Sequence, residues 1–69
     1  MSETIEVNGE REALSVTTLS GLLDARGITV SVRGVAIALN GAVVPRTAWT
    51  NTPLHAGDTV EIVHAKQGG

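Results

Sequence analysis

With 69 residues, no cysteine, nineteen Val, Leu and Ile residues and Trp49 as its only aromatic, the chain has room for one domain with a thin core and for neither a disulfide framework nor a thiolate metal site. A net charge of −2, four scattered arginines (Arg11, Arg26, Arg33, Arg46) and a single lysine, Lys66, exclude the basic footprint that nucleic-acid binding needs. The longest apolar run, Val35–Leu39, is far short of the ~20 residues of a membrane span, and Met1-Ser2-Glu3 opens no secretory signal. A soluble, cytoplasmic protein with neither nucleic-acid nor membrane partner is expected.

Strand signals open the chain. Apolar and polar residues alternate in Thr4-Ile5-Glu6-Val7 and again in Ala13-Leu14-Ser15-Val16, the period of a half-buried strand. Between them Asn8-Gly9 suits the positive φ of a tight turn, so a β-hairpin is predicted from about Glu3 to Val16. The period then changes. Leu19, Leu22 and Leu23 fall at i, i+3 and i+4, one face of a helix, with Thr17 or Thr18 to cap its start and Gly27 to end it. Gly21 inside it costs up to ~1 kcal/mol against Ala, so the helix is short and held by packing.

Beyond a variable stretch from Ile28 to Gly34, Val35–Leu39 reads as a central strand covered on one face by the helix. Asn40-Gly41 is a second hairpin signal and Val43-Val44 its short return strand, which Pro45 ends because it lacks a backbone donor. One helical turn carrying Trp49 fits Thr47–Asn51. Ala56-Gly57-Asp58 turns the chain into a final strand, Thr59–His64, with Val60 and Ile62 on one face and Glu61 and Val63 on the other. Hairpin, helix, hairpin and final strand can close on one core if the last strand pairs beside the first. The predicted fold is therefore α+β: a β-grasp, ubiquitin-like arrangement in which one main helix packs across a mixed four- to five-stranded sheet. Residues 1–64 form the domain, and 65–69 form a flexible C-terminal tail.

Few residues carry chemistry. A chain this small buries only ~60% of the surface it exposes when unfolded, a poor setting for a dry catalytic cavity. His55 and His64 lie nine residues apart with no third metal-ligand type clustered near them, so no zinc site is expected. Gly68-Gly69 is the strongest feature. Two residues without side chains let backbone enter a channel too narrow for a Cβ and present its carboxylate. The competing reading is a frayed terminus, but the pair follows a strand that closes a β-grasp. Val60 and Ile62 are expected in the core, and Trp49 over one end of it. Arg46 is either a solvated loop charge or a docking contact, and Glu61 and Val63 are candidates to meet a partner. His64 fills a strand position close to the tail, where a general-base role has little support.

The run from Ala36 to Trp49, with its Asn40-Gly41 turn and its Val44-Pro45-Arg46 and Trp49, resembles the middle of the thiamine-biosynthesis sulfur carrier (ThiS) family. So do Ala56–Val63 and the closing Gly68-Gly69, in the same order, and the resemblance covers essentially the whole chain. It implies a carrier acted on by partner enzymes, with no catalytic residues, metal or bound cofactor of its own. The Gly69 carboxylate would be adenylated with ATP by a ubiquitin-E1-like, ThiF-like adenylyltransferase and loaded by a persulfide-bearing donor. The resulting thiocarboxylate would feed a ThiG-like thiazole synthase. Gly68, Gln67 and Lys66 would be the tail read by these partners, with Arg46, Glu61 and Val63 as possible contacts on the body. Three other readings stand beside it. The small subunit of molybdopterin synthase shares fold and thiocarboxylate, but its members are usually longer and carry a Pro-rich, Ser-Gly-Gly ending. A ubiquitin-like modifier that builds chains needs more acceptor lysines than Lys66. The third is a β-grasp interaction module with an inert tail.

Overall fold

A computed structural model of the chain describes residues 3–29 and 31–64. The first turn sets the first hairpin. Asn8 (φ 53°) and Gly9 (φ 85°) both take positive φ, the conformation of a two-residue turn whose twist matches its strands. Strand β1 (Thr4–Val7) therefore pairs at once with β2 (Glu10–Ala13), Val7 opposite Glu10 and Thr4 opposite Ala13. The second strand is thus not the alternating Ala13–Val16 that the sequence suggests. A tight turn leaves no residues between it and the strand, so the charged Glu10-Arg11-Glu12 is the strand and forms a sheet edge, where charge blocks pairing with other chains. Leu14 and Val16 instead pack partly buried against the core as the chain crosses to the helix.

Helix α1 (Leu19–Ala25) starts at Thr18, whose Oγ1 accepts from the Gly21 amide at 3.1 Å. It ends in two reversed hydrogen bonds, Gly27 N–H to the Asp24 carbonyl (3.0 Å) and Ile28 N–H to that of Leu23 (2.8 Å). Gly27 sits at φ 78° to make them, the Schellman ending in which Ile28 folds back over Leu23. The helix start is also tied to the loop before the last strand. Leu19 N–H donates to the Thr52 carbonyl at 2.8 Å, and Leu54 N–H to that of Thr17 at 3.0 Å.

The second hairpin joins β3 (Val35–Leu39) to β4 (Ala42–Val43) through Asn40-Gly41. Strand β4 begins one residue earlier than the sequence suggests, although the Val44 amide still donates to the Ile37 carbonyl at 2.9 Å before Pro45 ends the ladder. A 3₁₀ helix over Arg46–Asn51 follows and buries Trp49, whose Nε1 donates to the Val44 carbonyl at 3.1 Å. Strand β5 (Thr59–His64) then enters the middle of the sheet, giving the order β2-β1-β5-β3-β4. It runs parallel to β1 and antiparallel to β3. Val35–Leu39 is an interior strand as expected, paired with β4 on one edge and β5 on the other, and β5 holds the middle place beside β1.

The sheet turns Ile5, Val7, Val35, Ile37, Val60 and Ile62 toward the helix, which answers with Leu19, Leu22 and Leu23; Ile28, Trp49 and Leu54 close the ends. This is the expected β-grasp. No polar side chain is buried among the described residues, so hydrophobic burial dominates stability. Leu22→Ala or Ile37→Ala is expected to cost about 2–5 kcal/mol, a large share of the ~5 kcal/mol available to so small a domain. Urea denaturation should show large drops in midpoint for both. Val43→Ala, at a side chain 75% exposed, should shift stability by less than about 0.5 kcal/mol.

Candidate functional site

The fold delivers the C-terminal segment from the end of its central strand. Strand β5 emerges between β1 and β3 and reaches the end of the sheet at His64. The tail residues singled out in the sequence (Lys66, Gln67, Gly68, Gly69) lie outside the described residues.

Among the described residues no helix packs on the face of the sheet turned away from α1. Side chains alternate along β5, so Glu61 and Val63 lie on this face and both are exposed, as their period predicts. Val63 sits opposite Ala36, and Ala38 is flanked by Glu61 on one side and Val43 on the other. Two alanines thus make a low floor from which Val63 (58% exposed) and Val43 (75% exposed) protrude. Glu61 places a carboxylate between them, while Glu6, opposite Thr59 on β5 and Arg11 on β2, lies farther along the sheet. The result is a small apolar patch with the Glu61 carboxylate at its border. Val43, which the sequence marks only as a return strand, belongs to it because the Asn40-Gly41 turn sets its register against Ala38.

Arg46 lies elsewhere and is engaged. Its guanidinium donates to the carbonyls of Val32 and Val35, and Cζ stands 4.9 Å from the centroid of the Trp49 ring. A cation over an aromatic face is attracted by the ring quadrupole, so Arg46 braces the loop leading into β3 against the 3₁₀ helix. Trp49 is 2% exposed and packs in the core as expected.

On the helix side of the sheet, a cleft of about 330 Å³ lies between the first hairpin, the end of α1 and the end of β5. Val7, Ile28 and Ile62 line it together with Glu10 and His64, and an ion pair between Arg26 and Glu12 ties the helix end to β2 beside it. The His64 imidazole makes no hydrogen bond or ion pair among the described residues. Nor do those residues contain a group of His, Cys, Asp and Glu that could hold a metal ion. None of their helices is long and apolar enough to cross a membrane.

One charged group is strongly organised. The Asp58 carboxylate accepts from Asn40 Nδ2 at 3.1 Å and from the His55 amide at 2.8 Å, and these bonds hold its pKa below the usual carboxylate value despite some burial. Asn40 Oδ1 in turn accepts from the Thr59 amide at 2.9 Å. The second hairpin turn is thereby latched to the start of β5. The sequence marks Asn40 and Asp58 only as turn residues, because both partners of the latch are distant along the chain.

The ThiS family profile matches the chain over residues 1–69. A sulfur carrier protein ThiS of Thermus thermophilus is 38% identical over 63 residues, covering 91% of this chain and 95% of that protein. The crystal structure of a thiamine biosynthesis protein (ThiS) from Geobacter metallireducens superposes with a TM-score of 0.78 at 29% identity, covering 96% of this chain and 99% of that one. A solution structure of a thiamine biosynthesis protein from the same organism gives 0.74 at 29% identity, covering 96% of this chain and 87% of that one.

The latch makes stability depend on acid. Because the folded state holds Asp58 below its ordinary value of 3.8, the bond's contribution is complete above that pH and is lost as pH falls through the lowered folded value. Asp58→Asn should therefore lower the melting temperature most above about pH 5, with the gap from wild type narrowing below about pH 4. Thermal melts from pH 7 to pH 2.5 check this, and a gap that stays constant would show that the carboxylate charge is not the source.

Proposed function

The chain belongs to the ThiS family, and on that footing we propose that it is a sulfur carrier for thiamine biosynthesis, its working atoms being those of the Gly69 carboxylate. The observation that carries this reading is the match of the family profile along the whole chain, through Gly68-Gly69. It is supported by the placement of the last strand. Strand β5 is secured on both edges and leads directly toward the tail, so a rigid body presents a chemically simple terminus.

A carboxylate resists nucleophilic attack because its negative charge repels the incoming electron pair. Attack of Gly69 oxygen on the α-phosphorus of ATP, with loss of pyrophosphate, gives an acyl adenylate whose AMP is a good leaving group. A persulfide sulfur on a donor protein then attacks the carbonyl carbon and expels AMP, leaving an acyl disulfide. A thiol that attacks the donor's own sulfur forms a protein disulfide and releases the Gly69 thiocarboxylate. That sulfur is nucleophilic yet tethered, so it reaches a thiazole-forming enzyme without passing through free sulfide. The catalytic groups belong to partners: an E1-like, ThiF-like adenylyltransferase that uses ATP, and a ThiG-like thiazole synthase. This chain contributes the tail and a surface.

In this reading Lys66, Gln67 and Gly68 line the path into the partner's site, and Gly68 and Gly69 fit where a Cβ would not. Glu61 and Val63, joined by Val43, make the docking face. A patch of this size and partial acidity suits transient association, in which a rim charge chiefly steers encounter. Arg46 serves docking indirectly, by bracing the loop that enters β3.

Deleting Gly69 withdraws the carboxylate by up to ~3.6 Å of extended chain, and a misplacement of even ~1 Å can cost ~100-fold at a preorganised site. Gly69→Ala keeps the reach and adds a Cβ. Both variants should melt like wild type and show adenylate formation and sulfur loading reduced at least ~100-fold. The checks are pyrophosphate release with a ThiF-like enzyme and intact-protein mass, which reports replacement of one oxygen by sulfur. Loading of the deletion variant at the wild-type rate would make the tail a passive terminus.

A further inference from the structure

The two Asn-Gly turns are near copies. Asn8 and Asn40 have φ of 53° and 52°, and the glycines after them 85° and 87°. Each turn also reaches the same strand. On one edge of β5, Asn40 donates its amide to the Thr59 carbonyl at 2.7 Å and accepts the Thr59 amide on Oδ1 at 2.9 Å. On the other edge, Asn8 donates its amide to the Val60 carbonyl at 2.9 Å and accepts the Ile62 amide on Oδ1 at 2.8 Å.

The two contacts differ in what they replace. Asn40 acts where β5 begins, beside a full antiparallel partner. Asn8 acts where β1 has just turned away, since the parallel register ends at Val7 opposite Val60. Hydrogen-bonding groups alternate between the two edges of a strand, so Ile62 N–H points at the space β1 has left. The Asn8 side chain fills that space and adds one more rung to the parallel ladder. Toward the tail it is the last tie on that edge of β5 among the described residues, two positions before the strand ends at His64.

We infer that Asn8 is a positioning residue for sulfur transfer: its amide oxygen holds the end of β5 in line and so fixes where and in which direction the tail leaves the body. The inference rests on the sulfur-carrier reading. A partner that docks on the open face of the sheet holds its channel at a fixed place relative to the body, and the tail enters that channel only from a root aligned with it. A loosened root leaves the docking surface intact and lowers the fraction of bound carriers that reach the site. The effect falls on turnover, not on binding.

Two substitutions separate the turn from the rung. Asn8→Gly keeps the positive-φ turn, for which Gly-Gly is suited, and removes the acceptor. Asn8→Asp keeps the turn and the acceptor. Asn40→Gly is the control, since it removes the Thr59 rung, together with the bond to Asp58, at the end of β5 far from the tail. With a ThiF-like enzyme, ATP and a persulfide donor, kcat and KM for thiocarboxylate formation are measured against carrier concentration, together with hydrogen exchange at the Ile62 amide. Asn8→Gly should speed that exchange at least ~10-fold and lower kcat at least ~10-fold with KM unchanged. Asn8→Asp should stay within about twofold of wild type in both, and Asn40→Gly should lower the melting temperature while keeping kcat. A wild-type kcat in Asn8→Gly, an unchanged Ile62 exchange rate, or equal losses of kcat in Asn8→Gly and Asn40→Gly would each overturn the assignment. Failure of wild-type protein to load in the same assay would instead overturn the carrier reading on which it rests.

Discussion

The parallel pairing of the first strand with the last is the constraint from which the rest of this fold follows. Glu6 and Val7 meet Thr59 and Val60 across nearly the whole chain, and closing so long a loop costs conformational entropy that only later contacts offset. Those contacts are the ones β5 makes possible. Once it lies beside β1, its other edge receives β3, Val60 is buried completely, and the two hairpins share one apolar face for α1 to cover. Parallel neighbours need a connection that crosses the sheet, and here everything between the first hairpin and β5 serves as that connection.

The same pairing divides the molecule by task. One face of the sheet is spent on stability, with its six apolar strand residues against three leucines of the helix. The other is left open, and its alanines keep it flat enough for the two valines to stand proud. Polar residues are used sparingly and chiefly at strand ends. Asp58 and Asn40 secure the entry of β5, Asn8 its far half, and the Arg26–Glu12 pair the closing edge of the helix. The polar side chains of the described residues thus go into holding strands in place, and the apolar ones into a single core. On the sulfur-carrier proposal, a fixed surface and a fixed end of β5 are what this body would offer a partner.

Much of this was legible in the sequence, and for physical reasons. Asn-Gly pairs accept the positive φ of a two-residue turn, so both hairpins announce themselves. The spacing of Leu19, Leu22 and Leu23 has no reading but a helix face, and the alternation of Thr59–His64 assigns each of its faces correctly. The second strand was hidden because an edge strand has little apolar surface to bury. Glu10–Ala13 is mostly charged, while the alternating residues after it only fill a corner of the core. Arg46 was open to two readings because its acceptors, the carbonyls of Val32 and Val35, come together with it only in the folded chain. The second role of each turn asparagine was likewise invisible: the propensity that places Asn at a turn says nothing about an amide 54 positions away. The family was legible through the order of motifs along the chain, which is the level at which the family match also speaks.

The position of β5 has a consequence for how the protein is made. Synthesis runs from the N-terminus, yet the strand that joins the two hairpins into one sheet is the last to be added. A product cut short before Thr59 holds two hairpins with no strand between them, and an isolated hairpin is marginal at best in water. Only a chain elongated through β5 can complete its core, because Val60 and Ile62 lie between the two hairpins. Folding is thus tied to synthesis of that strand. Chains that stop before β5 leave the apolar faces of both hairpins without the strand that joins them.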